Sequence, residues 1–383
     1  MSLLTRLWRA TKHPRRVWNS QRKRWRRLQA RLPEGRAQLP ENFTFFLTYR
    51  CDLRCKMCGQ WKEGGYAREF TPEVLRDELS LEELKRVVDD VAPAKPTITL
   101  CGGEVLLYRD WLKFVEYVKS RGLVCWLITN ATHLADCAER VVELGLDMVA
   151  VSLDGPAEIH DEIRGRRGTF EKAMSGLRAV TAAKKAAKSD FPEMHIQCAI
   201  SDINYRHLYD FVMSLKHLDI RFFNLTHLFY QTASAVEKHR ELFKRLFNME
   251  TVHWAGYNYP PDGIDPELLR RELGRVWAAR NELPFDVTIT PELAEDEIEP
   301  YYRGKDFYPK AYKEQPCPAV WLSVYILPNG DVSPCPDYVL GNVRDESFLT
   351  LWNNEKARAL RCRLENGGAF PVCLRCCAPY LYQ

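Results

Sequence analysis

The residues with the most chemistry to offer are cysteines, and they are clustered. Of thirteen in the 383-residue chain, three fall within eight positions (Cys51-Asp-Leu-Arg-Cys55-Lys-Met-Cys58) and five within the last 49 (Cys335, Cys362, Cys373, Cys376 and Cys377). Disulfides are rare in reducing compartments, so clustered cysteines in a chain without an export signal point to metal ligation or catalysis. The opening MSLLTRLWRATKHPRR has no apolar stretch ahead of a small-residue cleavage site, which predicts no secretory signal. Three thiolates in a tight loop can hold three irons of a four-iron cluster and leave the fourth iron open. A structural zinc site instead closes its tetrahedron with four ligands, and a ferredoxin-type cluster takes four cysteines. An open iron implies a ligand or substrate bound to it; a zinc site or coincidence is the bland alternative.

Other segments carry suitable chemistry. Leu100-Cys101-Gly102-Gly103-Glu104 offers two glycines that let a backbone approach a ligand closely and a carboxylate that can accept hydrogen bonds from an ammonium. Ser152-Leu-Asp154-Gly155-Pro156 is followed by His160-Asp-Glu-Ile-Arg164-Gly165, where a guanidinium suits bidentate recognition of a carboxylate. Taken singly, these are also compatible with ordinary turns and a solvated charge.

Together the segments resemble the radical S-adenosylmethionine (SAM) superfamily, whose signature Cys51-x3-Cys55-x2-Cys58 matches. The resemblance implies a [4Fe–4S] cluster on Cys51, Cys55 and Cys58 whose open iron chelates SAM. It also implies reductive cleavage of SAM to methionine and a 5′-deoxyadenosyl radical that takes hydrogen from a substrate. Gly102, Gly103 and Glu104 are similar to the family's Gly-Gly-Glu motif, which places Glu104 on the SAM amino group. The stretch from Ser152 to Phe170 is similar to the SPASM-containing branch. That likeness puts Ser152 near the ribose, Arg164 on the SAM carboxylate and Asp154 beside them. Asn204 stands where the family often has a polar SAM contact. The chain departs from the pattern at Met57, where many members carry an aromatic residue near the adenine; a thioether can still pack on a ring face.

These motifs need elements to position them. Short apolar runs predict strands at Phe43–Tyr49, Thr97–Leu100, Val124–Thr129, Met148–Leu153, His195–Ile200 and Phe222–His227. Amphipathic segments alternate with them at Leu81–Val91, Trp111–Arg121, Ala135–Leu144, Thr169–Ala187 and Tyr205–Leu218. The alternation predicts an α/β fold, a partial (β/α)6 TIM-like barrel over residues 37–230 with its site at the C-terminal strand ends. Residues 231–310 read as a helical and aromatic insertion with helices at Ala233–Phe247 and Pro266–Glu282. The run His253–Pro261 is a candidate substrate lid with Trp254 and Tyr257 as contacts, although such runs more often serve packing.

Residues 311–383 read as a small cysteine-rich unit. Asn-Gly between Leu322–Leu327 and Val332–Cys335 is a strong hairpin signal. Cys317-x12-Gly330-x4-Cys335, followed by Gly341-Asn342-Val343 and Leu351-Trp352-Asn353, resembles a SPASM or twitch domain. A full SPASM domain uses a longer cysteine run. The resemblance therefore implies one auxiliary [4Fe–4S] cluster, the second of two, on Cys317, Cys335, Cys373 and Cys376. Cys377 rivals Cys376, and Cys362 has no derived role. Zinc on the same four thiols is the alternative. Cys101, Cys125, Cys137 and Cys198 are expected to be buried thiols.

Composition sets the outer bounds. The chain is 46% hydrophobic and 28% charged, as in soluble globular proteins, and no apolar run nears the ~20 residues of a membrane span. Residues 1–36 carry twelve Lys/Arg against one acid, a local charge of +11, and the remainder carries −7. Trp18, Trp25, Leu28 and Leu32 share one helical face of this arm, which then ends in a linker at Pro33 and Gly35. A basic amphipathic arm suits an anionic membrane surface or a partner helix first, and nucleic acid second. The expected protein is a cytoplasmic radical SAM enzyme, peripheral to the inner membrane face if the arm binds there. Its expected partners are a small-molecule, sugar or lipid-linked substrate and a one-electron reductant such as flavodoxin or ferredoxin. The arm is too short for the N-terminal recognition domain of many peptide-modifying relatives. A peptide or protein maturase and a non-catalytic iron–sulfur carrier or scaffold remain the alternatives. Oxidation, epimerisation and bond formation are all open.

Overall fold

The computed structural model describes residue 27 and residues 29–259, 263–303, 317–376 and 378. Among them, ten strands form one sheet in the order β10-β9-β8-β1-β2-β3-β4-β5-β6-β7. Seven parallel strands make the partial barrel. They are β1 (Asn42–Phe46), β2 (Thr97–Cys101), β3 (Val124–Thr129), β4 (Met148–Ser152), β5 (Glu193–Ala199), β6 (Phe222–Thr226) and β7 (Asp286–Thr290). Side chains alternate across each strand. Phe43, Phe45, Cys125, Leu127, Ile196 and Cys198 are wholly buried against the outer helices, while Ser152, Gln197, Ala199 and Thr226 face a cavity on the inner side.

The helices form where local sequence allows them. Leu81–Val91 is opened by a capping box in which the Ser80 hydroxyl accepts from the Glu83 N–H and Glu83 accepts from the Ser80 N–H. Its Leu84, Val87, Val88 and Val91 form one buried stripe. Thr169–Ala187 and Ala233–Phe247 occupy the expected residues.

Three expectations are corrected. Residues 231–303 are not simply an insertion, because they contribute β7, which pairs in parallel with β6 and extends the barrel. The hairpin of β8 (Ser323–Ile326) and β9 (Asp331–Ser333) exists, but it is not separate from the barrel. β8 pairs in parallel with β1, and β10 (Gly341–Asn342) follows antiparallel to β9. Finally, Pro33–Gly35 is a clamped turn. A Cβ on Gly35 would lie 2.6 Å from the Arg358 carbonyl oxygen, and buried Arg361 donates to the Gly35 carbonyl at 3.2 Å. Trp18, Trp25 and Leu28 of the arm lie outside the described residues.

Burial also fixes a pH response. His160, His227 and His239 are buried, and desolvation lowers them to about 3, about 3 and about 4. The unfolded chain takes up these protons near about 6.5 while the fold excludes them. Stability is therefore full above that value and lost as pH falls below it, by up to about 1.4 kcal/mol per pH unit for each imidazole. Glu104 opposes this with one proton, because burial raises it to about 7. Denaturation midpoints are expected to fall as pH drops from 6.5 to 5; a flat profile over that range contradicts the assignment.

Candidate active site

The loop after β1 carries Cys51, Cys55 and Cys58 and is anchored on two sides. On one, the Lys56 N–H donates to the Ile163 carbonyl at 2.8 Å, at the end of the helix Ala157–Arg164. On the other, Asp52 accepts from Asn130 Nδ2 at 2.9 Å and from Thr132 Oγ1 at 2.8 Å. The two glycines after β2 press on the backbone leading into this loop. Gly102 has φ +152°, and a Cβ on it would lie 2.5 Å from the Thr48 carbonyl oxygen. A Cβ on Gly103 would lie 2.2 Å from that of Arg50. The Gly103 N–H donates to Thr48 at 2.7 Å and the Glu104 N–H to Arg50 at 2.8 Å. The glycine pair thus fixes where the cysteine loop begins.

A cavity of about 350 Å³ opens over this loop, lined by all three thiols, Gly102, Gly103, Ser152, Asp154 and Arg164. Its volume falls within the usual range for small-ligand pockets. Arg164 Nη1 lies 3.7 Å from Cys55 Sγ, and its Nη2 lies 2.6 Å from Asp154 Oδ2. The Asp154 carboxylate is wholly buried, and its other oxygen accepts from the Ala199 N–H. Burial pushes the Cys55 thiol up to about 11 and the Cys51 thiol up to about 12.

Two expected contacts sit elsewhere. Glu104 does not line the cavity. Its carboxylate accepts from Thr129 Oγ1 at 2.6 Å, the Asn130 N–H at 2.7 Å and the Leu106 N–H at 3.1 Å. Asn204 is also behind the wall, donating to the carbonyls of Asp154 and Ala199 at 2.8 Å each. Residues unnoticed in the sequence take their place: Gln60, Thr129, Asn130, Gln197 and Thr226 line the cavity, as does Met57. Asn224 backs this polar wall, bonding Gln197, Thr226, Thr288 and Thr290. Cys101 lines the cavity and Cys137 is partly exposed, so only Cys125 and Cys198 are the fully buried thiols expected.

Trp254 is buried and donates to the Pro336 carbonyl, which makes it a packing residue. Tyr257 packs against Gly59 and lines a second, smaller cavity. Pro260 and Pro261 of the aromatic run lie outside the described residues.

The C-terminal thiols come from three places: Cys317, Cys335 after β9, and Cys373 and Cys376 at the turn Pro371–Arg375. Burial raises Cys317 to about 12, with Cys376 the next cause, and also raises Cys335 well above the usual thiol range, with Cys373, Cys376 and Cys317 all adding to it. Cys317, Cys373 and Cys376 thus lie near enough to Cys335 to raise it electrostatically. Cys362 lies apart, on the helix Glu355–Gly367 against Gly35, and Cys377 is outside the described residues. Among the described residues, no three such side chains are set around one metal ion; a cubane takes each thiolate on a different iron.

Residues 45–192 match the Radical SAM superfamily, and residues 317–377 match SPASM, an iron–sulfur cluster-binding domain. Residues 45–192 are thus a radical SAM domain, and residues 317–377 a SPASM domain. These domains imply a [4Fe–4S] cluster with SAM and auxiliary iron–sulfur chemistry. The chain is 36% identical over 133 residues to the Fe-coproporphyrin III synthase of Methanosarcina barkeri, covering 34% of this chain and 31% of that protein. It therefore spans about a third of that relative's length. It is 25% identical over 336 residues to an AdoMet-dependent heme synthase of Oleidesulfovibrio alaskensis, covering 85% and 78%. Streptococcus suis SuiB bound to S-adenosylmethionine shares the fold, with TM-score 0.58 at 15% identity over 86% of this chain and 69% of SuiB.

The donor set fits these groups. Thiols suit iron–sulfur ligation. Two buried polar atoms of cavity-lining residues, Gln60 Oε1 and Arg164 Nε, have no hydrogen-bond partner and offer an acceptor and a donor to a polar ligand.

Proposed function

We propose that this chain is a radical SAM enzyme acting on a C–H bond of a small-molecule substrate. The observation that carries this reading is the opening of three loop thiols on a single cavity, with the Arg164 guanidinium against Cys55. Cys51, Cys55 and Cys58 hold the [4Fe–4S] cluster. When bound, the cluster and SAM supply reductive cleavage to methionine and a 5′-deoxyadenosyl radical.

The chain's own residues bind, orient and exclude. Arg164, neutralised on one side by Asp154, presents its unpartnered Nε–H to the SAM carboxylate. Gly102 and Gly103 let the turn after β2 press on the backbone that leads into the loop, and Ser152, Thr129 and Asn130 offer polar contacts to the ligand. Glu104 acts here as a positioning residue, since its oxygens hold the segment bearing Thr129 and Asn130. Cys317, Cys335, Cys373 and Cys376 hold one auxiliary [4Fe–4S] cluster. A low-potential one-electron carrier, a flavodoxin or ferredoxin, is the partner such chemistry requires.

Relatives named as heme and Fe-coproporphyrin III synthases support a small-molecule substrate. A peptide substrate is the second reading, because the SuiB structure that shares this fold is also known with its precursor peptide SuiA. Among the described residues no helix is long and apolar enough to cross a membrane, and contact of residues 1–36 with a membrane surface is proposed from their charge alone.

The test is anaerobic iron–sulfide reconstitution followed by dithionite and SAM. Formation of 5′-deoxyadenosine is expected; its absence with clusters intact overturns the reading. Iron content is expected to be about eight per chain, from two four-iron clusters. Cys335→Ala is expected to lower it to about four, and zinc replacing the difference contradicts the auxiliary cluster.

A further inference from the structure

A second cavity, of about 110 Å³, lies between the strand that enters the first cysteine loop and the hairpin that carries Cys335. Four aromatic rings line it: Phe46 at the end of β1, Tyr325 of β8, Tyr66 and Tyr257. Phe46 and Tyr325 meet edge to face with centroids 5.8 Å apart. Beside Ser333 and the tyrosine hydroxyls, this wall carries an imidazole held by a carboxylate. His253 Nδ1 lies 2.7 Å from Asp337 Oδ1, and the ring is braced edge to face by Tyr66 at 4.7 Å.

This pair is built rather than incidental. Asp337 adopts φ +68°, in the left-handed region that side chains other than glycine seldom enter. The same carboxylate accepts the backbone N–H groups of Val252, His253 and Trp254 at 2.8, 2.7 and 3.1 Å. A carboxylate on Nδ1 places the proton of the neutral ring there and leaves Nε2 as an acceptor. Nε2 is buried and has no hydrogen-bond partner. A half-open aromatic pocket with a bare acceptor in its wall is matched by a flat ring that carries a donor.

The geometry points to a subsite for one planar five- or six-membered ring bearing an N–H or O–H, with the donor on His253 Nε2. The subsite deepens the proposed function, and its catalytic meaning rests on that reading. It seats one ring of the substrate between the loop of Cys58, whose neighbour Gly59 contacts Tyr257, and the segment of Cys335. The substrate class it selects is therefore phenolic, indolic, pyrrolic or imidazolic. Purely aliphatic chains do not fill such a box, and rings without a donor leave Nε2 unpaired.

The test uses the full-length, iron-loaded protein with oxidised clusters, and 19F NMR titration with 4-fluorophenol and with fluorobenzene. Saturable binding of 4-fluorophenol is expected, tighter than fluorobenzene by about five- to tenfold, the effect of one neutral hydrogen bond. His253→Asn keeps a donor to Asp337 at the Nδ1 position and lacks Nε2, so it is expected to abolish the preference while fluorobenzene binding is kept. The wild-type comparison stands even if the variant folds poorly. Equal affinity for the two probes, or no saturation by either, overturns the subsite. Ring binding needs no SAM, so loss of the preference with SAM cleavage intact removes the subsite alone. Intact ring binding without SAM cleavage removes the enzyme reading alone.

Discussion

Cys55→Ala is expected to reduce 5′-deoxyadenosine to the level of a protein-free control while the apo chain still folds. The reason is local. Cys55 is buried beside Arg164 and is the middle thiol of the loop. Removing it leaves two thiolates, too few to hold a cubane against loss of iron. The fold loses a small buried side chain and one weak sulfur contact, a cost of about 1 kcal/mol, set against a barrel core that the loop does not enter. Circular dichroism and a melting curve on the apo variant check the fold, and chromatographic detection of 5′-deoxyadenosine checks activity. Retained cleavage shows that the ligand set is drawn wrongly.

Gly103→Ala is expected to be the most damaging single-methyl substitution near the site. The added carbon meets the Arg50 carbonyl oxygen at 2.2 Å and that of Tyr49 at 2.6 Å, both backbone atoms that cannot rotate away. Relief requires moving the chain just before Cys51. That movement breaks the bonds from Gly103 to Thr48 and from Glu104 to Arg50. The expected cost is about 1–3 kcal/mol or more, with iron incorporation at the first cluster reduced severalfold. Gly274→Ala is the control. It lies in the helix Pro266–Ala279 with nothing within 4 Å of the new carbon, so it is expected to stabilise by up to about 1 kcal/mol. Equal behaviour of the two variants removes the steric account.

Much of the barrel could be read from local pattern. Strands β1 to β6 fall within a few residues of their expected positions because each is a short apolar run between amphipathic helices. β7 went unread although Asp-Val-Thr-Ile-Thr alternates polar and apolar residues as a half-buried strand does, because it lies inside a stretch read as a helical and aromatic insertion. The β8 hairpin was legible from Asn-Gly, but its partner was not, since Asn42 meets Ser323 across most of the chain. At the site, cysteine spacing is visible because thiols are scarce and their chemistry specific. Thr129, Asn130, Gln60 and Gln197 carry no such label. For Thr129, Asn130 and Gln197 the only signal was position, at or near the C-terminal ends of β3 and β5, and for Gln60 its place two residues after Cys58. Glu104 shows the reverse, a residue whose chemistry stood out although the fold spends its carboxylate on neighbouring backbone and hydroxyl donors.

The parallel ladder between β1 and β8 has a consequence for engineering. A chimera that exchanges residues 317–383 for the matching segment of another enzyme cannot be spliced at Cys317 as if joining beads on a string. The cut strips β1 of one neighbour and bares a hydrogen-bonding edge directly beneath the catalytic loop. Swaps are expected to succeed only when β1 and β8 travel together.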